Sequence, residues 1–122
     1  MKLAVVGSRG FDDYDLLKLK LDTIHSRRPI SVIISGGAYG ADSLAERWAR
    51  ENMIELLVFL PDWEQFGKSA GYKRNIQIIE SADAVIAFWD GQSKGTQHSI
   101  NLAKDKGKPL AVINYKRNII IL

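Results

Sequence analysis

Three glycine-bearing stretches carry most of the chemistry available to this sequence: Gly7-Ser8-Arg9-Gly10, Gly36-Gly37-Ala38-Tyr39-Gly40-Ala41-Asp42 and Asp90-Gly91-Gln92-Ser93-Lys94-Gly95-Thr96. Each follows an apolar run and precedes a segment of helical period. Glycine lets backbone N–H groups approach an anion closely, and a helix starting behind the loop adds unpaired N–H groups and the positive end of its dipole. Loops of this kind hold phosphate. The candidate phosphate ligands are therefore Gly7, Ser8 and Arg9, then Gly36, Gly37, Gly40 and Asp42, then Lys94, Gly95 and Thr96. Arg9 and Lys94 would add charge-assisted hydrogen bonds, and Ser8, Ser35 and Thr96 would add hydroxyls. One such loop alone is no more than a tight turn, but three at one edge of a sheet point to a ligand.

A fourth stretch, residues 61–75, mixes aromatic, acidic and basic side chains and reads as a lid facing the ligand. Trp63, Phe66 or Tyr72 could stack on a base, or could simply anchor the loop to the core. Arg74, with Asn75 beside it, is placed to reach a phosphate or ribose. His98 falls in the first turn of the last helix, as a ligand contact or a solvated residue. His25 reads as surface, Trp48 and Trp89 as core, and Asp12, Asp13 and Asp15 as capping for the first helix.

Two familiar phosphate motifs are excluded. Gly67-Lys68-Ser69 suggests a P-loop, but the required earlier glycine is Asp62, whose carboxylate would repel a triphosphate. Glycines at 36, 37 and 40 likewise miss the G-x-G-x-x-G spacing of dinucleotide sites.

The elements that must position these residues alternate along the chain. Apolar runs at residues 2–6, 30–35, 54–60, 84–88 and 110–113 predict five strands, nearly continuous in apolar character, as strands covered on both faces require. Residues 14–26, 42–52, 70–81 and 96–106 have helical period, and Gly107 before Pro109 supplies a stop. The order βαβαβαβαβ predicts a Rossmann-like, doubly wound sheet of about five parallel strands with helices on both faces. Ligands then bind outside the carboxyl ends of the strands. The apolar tail, Tyr115 to Leu122, needs cover: either a short extra edge strand on the same sheet or a contact across an oligomer interface.

At 122 residues with 46% hydrophobic composition, residues 1–122 read as one domain with a proper core. No apolar stretch suits a membrane span or a signal peptide, so a cytoplasmic location without membrane association is expected. The absence of cysteine and two isolated histidines argue against a metal site, and no cofactor is expected. Seventeen Lys+Arg against fourteen Asp+Glu favour anionic partners. The basic residues are scattered apart from Arg27-Arg28 and the stretch from Lys104 to Lys108, so nucleic acid is not expected as the partner.

Gly7-Ser8-Arg9, the stretch from Gly36 to Asp42, Gly71-Tyr72-Lys73-Arg74-Asn75 and residues 81–88 with Ser93-Lys94-Gly95-Thr96 together resemble the SLOG superfamily over roughly residues 1–113. The chain is most similar to its YspA/YpsA-related branch of small domains. The resemblance implies a Rossmann-like fold and a nucleotide or nucleotide-derived ligand, bound by a sensor, a processing enzyme or a DNA-processing protein. In the related LONELY GUY phosphoribohydrolases an arginine and a glutamate in P-G-G-x-G-T-x-x-E release a base from a nucleoside monophosphate. Arg74 matches that arginine and Gly95-Thr96 the G-T. Ser99 stands at the glutamate, and Gly91-Gln92-Ser93 replaces P-G-G. A serine hydroxyl lacks the basicity and charge that glycosidic cleavage demands, so Asp42 or Asp90 would have to substitute. The resulting expectation is a domain that senses or sequesters an ADP-ribose-like or mononucleotide ligand. Its alternatives are a hydrolase using Arg74 with Asp42 or Asp90 and, third, a single-stranded nucleic-acid binder. A sensor would act through a partner or as a homo-oligomer.

Overall fold

The computed structural model describes residues 1–117 and 119–121. Six strands form one sheet in the order β3-β2-β1-β4-β5-β6: β1 (Lys2–Gly7), β2 (Val32–Ser35), β3 (Glu55–Val58), β4 (Ala84–Trp89), β5 (Leu110–Asn114) and β6 (Ile119–Ile121). The first five are parallel, with Leu3 opposite Ile33 on one side and Ala84 on the other. β6 returns antiparallel, Ile120 opposite Ile113. The tail is thus an edge strand, as one of the two expectations had it; Asn118 and Leu122 lie outside the described residues.

The layering explains the near-continuous apolar runs of the central strands, while β3, expected to be covered on both faces, is an edge strand with Leu57 and Val58 exposed. Along β1, Leu3 and Val5 point into a cluster with Leu17, Leu21 and Trp48, while Ala4 and Val6 point into a second cluster with Ile78, Ile79 and Ile100. Alternate side chains thus meet opposite layers, and both must be apolar. Helices α1 (Tyr14–Arg27) and α2 (Ala41–Glu51) cover the first face; α4 (Ala70–Ser81) and α5 (Lys94–Asp105) cover the second. Asp13 caps α1, its carboxylate accepting from the Leu16 N–H at 3.0 Å, as the acidic group before the helix implied.

Three further expectations need correction. Residues 61–69 are not an open loop: Asp62 caps a short helix, α3 (Trp63–Phe66), which runs through a 3-10 turn, Gly67–Ser69, into α4. One turn is too short for a periodic signal. His25 is not a surface residue but half-buried, because its Nδ1 accepts from the Ile30 N–H at 2.9 Å and its ring packs edge-on to Trp48. Trp89 is only half-buried, since its Nε1 donates to the Ser93 carbonyl at 3.1 Å and holds the ring at the strand end. No helix among the described residues is long and apolar enough to cross a membrane.

Trp48 is fully buried, with its Nε1 donating to Asp22 Oδ1 at 2.9 Å, and it joins α1, α2 and the sheet. Trp48→Ala should cost about 3–5 kcal/mol, combining lost burial with a cavity that the layers cannot close. Urea unfolding followed by circular dichroism checks this.

Candidate functional site

The strand order reverses at β1: the chain first winds outward to β2 and β3, then crosses back to β4 on the other side. The loops after β1 and β4 therefore part company at their carboxyl ends and leave a crevice, the usual ligand position in such sheets. A cavity of about 440 Å³ opens there. Its walls come from Gly7 at the end of β1 and the three residues after it, Ala38 and Asp42 beside and in the first turn of α2, Arg74 and Asn75 on α4, and Asp90, Ser93, Gly95, Thr96 and Ser99 from the end of β4 into α5 (Lys94–Asp105).

Arg74 spans the cavity from α4. Its Nη1 donates to the Gly36 carbonyl and its Nε to Asn75 Oδ1 at 3.0 Å. Burial lowers its pKa from the ordinary guanidinium value, and Arg9 adds to this while Asp42 opposes it; the group stays a cation throughout the accessible pH range. Gly36 is required by this packing, because a Cβ there would lie 2.6 Å from Arg74 Nη1 and 2.9 Å from Asp42 Oδ2.

Asp42, in the first turn of α2, is 7% exposed, and its Oδ2 accepts from the Ala38 N–H at 3.2 Å. The ion pairs among the described residues, Lys18–Asp22, Arg47–Glu51 and Lys106–Glu80, all lie elsewhere, so Asp42 faces Arg74 without a closed pair. Burial pushes its pKa up to about 6, with the Ala38 N–H and Arg74 pulling it back. It is the carboxyl in the crevice able to exchange a proton near neutral pH.

Asp90 has a different character. Its Oδ1 accepts from the Gln92 N–H at 2.8 Å and the Ser93 N–H at 2.7 Å, and its own N–H donates to buried Ser8 Oγ at 3.1 Å. Burial works to raise its pKa, but the Ser93 and Gln92 amides and Ser8 outweigh it, and the group stays ionised. Its carboxylate shapes the loop.

The remaining candidates divide. Gly7, Ser8, Arg9, Asp42, Arg74, Asn75, Gly95 and Thr96 line the cavity together. Gly36, Gly37 and Trp63 line an adjoining cavity of about 530 Å³ that shares Arg9, Ala38 and Arg74 with it. Gly40 lies beneath, at φ +82°, where a Cβ would meet the Ser8 carbonyl oxygen at 2.3 Å. Lys94 opens α5 and is exposed, lining neither cavity. Tyr72 packs edge-on to the half-buried His98, whose Nδ1 meets Asn75 Nδ2 at 3.3 Å, so the pair supports Asn75 from behind. Phe66 sits under the Lys73 ammonium at 4.7 Å and lines a hollow on the other side of Arg74 and Leu60, in neither cavity.

Sequence reasoning missed Tyr39, which is 83% exposed on the rim of the adjoining cavity, and the cavity-lining Ala38, Ser93 and Ile78. For Tyr39 the signal was present: an aromatic between two glycines in a loop, with nothing local to bury it. The described residues hold no group of three or more metal-ligating side chains of the His, Cys, Asp or Glu type.

A model of the YspA, cpYpsA-related SLOG family matches residues 1–66, just over half the chain. The chain belongs to this SLOG family. The match takes in the loops after β1 and β2, while Arg74 and the β4–α5 loop lie beyond it. The Gene 61 protein of Mycobacterium phage D29 is similar to this SLOG chain along almost its whole length, 37% identical over 124 residues that cover 93% of this chain and 95% of that protein. Among solved structures, DNA processing protein A from Helicobacter pylori is similar at a TM-score of 0.71 and 24% identity, covering 92% of this chain and 64% of its own. The Streptococcus pneumoniae counterpart gives 0.73 and 20%, covering 91% and 49%. These two likenesses are of fold, and the chain spans less than two thirds of either protein.

Because the native Asp42 pKa lies above the ordinary 3.8, the folded state holds a proton that the unfolded chain releases between about pH 4 and 6. This group's contribution to stability should therefore fall as pH rises through that window and level off above it. Unfolding free energies from urea titrations of the wild type and Asp42→Asn across pH 4–7 should diverge by about 2–3 kcal/mol, the wild type losing ground as pH rises.

Proposed function

We propose that this SLOG domain binds a phosphate-bearing nucleotide or nucleotide-derived ligand, of mononucleotide or ADP-ribose-like size, in the crevice between the β1 and β4 loops, as a sensor or sequestering protein. The observation that carries this reading is Arg74: a half-buried cation held at a cavity wall, tied to the backbone of one glycine loop and leaning toward a carboxyl without pairing to it. Holding a guanidinium there in advance lowers the cost of ordering it around an anion. Gly95 and Thr96 at the start of α5 supply the phosphate cradle, with Arg9 opposite. The adjoining cavity, with exposed Tyr39 and Trp63 on its rim, suits a base. Signalling through self-association would use the open β3 edge, where Leu57 and Val58 are exposed.

Turnover is the second reading, favoured by one feature. Asp42 and Arg74 flank Gly36, and a carboxyl with a pKa near 6 beside an arginine has the acid–base character that Ser99 lacks. A third reading comes from the Helicobacter pylori protein, which binds single-stranded DNA. Its fold likeness weighs against setting nucleic acid aside, and exposed aromatics beside Arg9 and Arg74 would serve a strand as well as a free nucleotide.

Thermal unfolding with AMP, ADP-ribose and a short oligothymidylate, each followed by chromatography of the recovered ligand, separates the three. At about 100 times its dissociation constant a ligand adds ~2.7 kcal/mol, a shift of several degrees. The expected result is a shift with a nucleotide recovered intact, abolished in Arg74→Ala. Released base that disappears in Asp42→Asn would establish turnover, and a shift confined to the oligonucleotide, falling steeply with salt, would establish strand binding. No shift with any of them would overturn the assignment of the crevice.

Gly36→Ala should behave like Arg74→Ala. The new methyl must displace the guanidinium, the far end of a flexible side chain, so binding should weaken at least tenfold while the circular dichroism spectrum is retained.

A further inference from the structure

A further cavity, of about 600 Å³, lies beyond Asp90, where the ends of β4 and β5 meet the turn into β6. Asp90 lines both it and the central crevice, so the two adjoin at this residue. Asn114 ends β5 and is 5% exposed; its Oδ1 accepts from the Lys116 and Arg117 N–H groups, each at 3.2 Å. This fixes the turn and leaves the Nδ2 amide as the remaining donor. That amide lies 3.0 Å from where a Cβ of Gly91 would be, so glycine at 91 keeps it uncovered. Lys116 and Arg117 are exposed and line the same cavity, and neither takes part in an ion pair among the described residues.

We propose that this cavity is a second phosphate subsite, with Asn114 Nδ2, Lys116 and Arg117 as its donors, and that the ligand of the crevice carries two phosphates separated by a sugar. The inference rests on the reading of the crevice as a nucleotide site. Asp90 decides the spacing. Its carboxylate lines both cavities where they adjoin and stays ionised, so it disfavours an anion between them and favours hydroxyl groups there. A pyrophosphate would put adjacent charges against it, whereas a phosphate–sugar–phosphate unit places one anion on either side. That chemistry belongs to a nucleoside 3′,5′-bisphosphate or to one step of a nucleic-acid strand.

Isothermal titration with AMP, ADP, adenosine 3′,5′-bisphosphate and the dinucleotide pApA tests this in the wild type and in Lys116→Ala/Arg117→Ala, whose substitutions are exposed and should leave the fold intact. The bisphosphate is expected to bind at least tenfold tighter than AMP, with ADP gaining less, and the double variant is expected to reduce it to the AMP level while AMP itself is unchanged. If pApA exceeds the bisphosphate, the source is a strand; if it does not, the source is a free nucleotide. AMP binding with no gain from the second phosphate, or a gain that survives the double variant, would overturn the second subsite and leave the crevice assignment standing. No binding of any ligand would overturn both.

Discussion

A strand buried on both faces, with parallel partners on both sides, underlies everything else in this molecule. β1 can occupy the sheet centre only because Leu3, Ala4, Val5 and Val6 give it two apolar faces at once. With β2 on one side and β4 on the other, the loops leaving the carboxyl ends of β1 and β4 diverge, and a crevice must open between them. The packing at the mouth is correspondingly tight. A Cβ on Gly7 would lie 2.5 Å from that of Ala41 and 2.6 Å from the Phe88 carbonyl oxygen, so the end of β1, the start of α2 and β4 meet around a bare backbone.

Within the crevice, electrostatics follows from how each charge is solvated. Asp42 and Asp90 are both carboxyls at the wall, yet burial dominates one and backbone N–H groups dominate the other, and their pKa values move apart. Arg74 is held by neutral acceptors, the Gly36 carbonyl and the Asn75 side chain, rather than neutralised by a carboxylate. Its charge is therefore available to whatever enters. A closed Asp42–Arg74 pair would have used up that charge within the protein.

Much of this was legible in the sequence, for definable reasons. Alternating runs from Lys2 to Ile113 carry strong signals because burial imposes them, and the glycine loops mark strand ends because close backbone approach imposes those. Arg74 was found through its place in a motif, with Asn75 beside it. What escaped has physical causes as well. Lys94 looked like a phosphate ligand from its neighbours, but a helix turns successive residues by about 100°, and it points to solvent while Thr96 points inward. His98 and Tyr72 come together across two helices, a contact that no local pattern records. The cavity at the β5–β6 turn depends on Asn114 folding back on its own turn, where a single asparagine gives no periodic signal.

The pairing of β1 with β4 joins Leu3 to Ala84, residues separated by most of the chain. As the polypeptide leaves the ribosome, β1, β2 and β3 can associate early, but one wall of the crevice, including the start of α5, arrives only with the second half. Such long-range parallel pairing is slow to form. Completion of the crevice is therefore a late event in biosynthesis, and a truncated or stalled chain would hold half a sheet with an unpaired apolar edge at β1. The same topology that opens the crevice leaves its walls incomplete until the chain has been made and folded as far as α5.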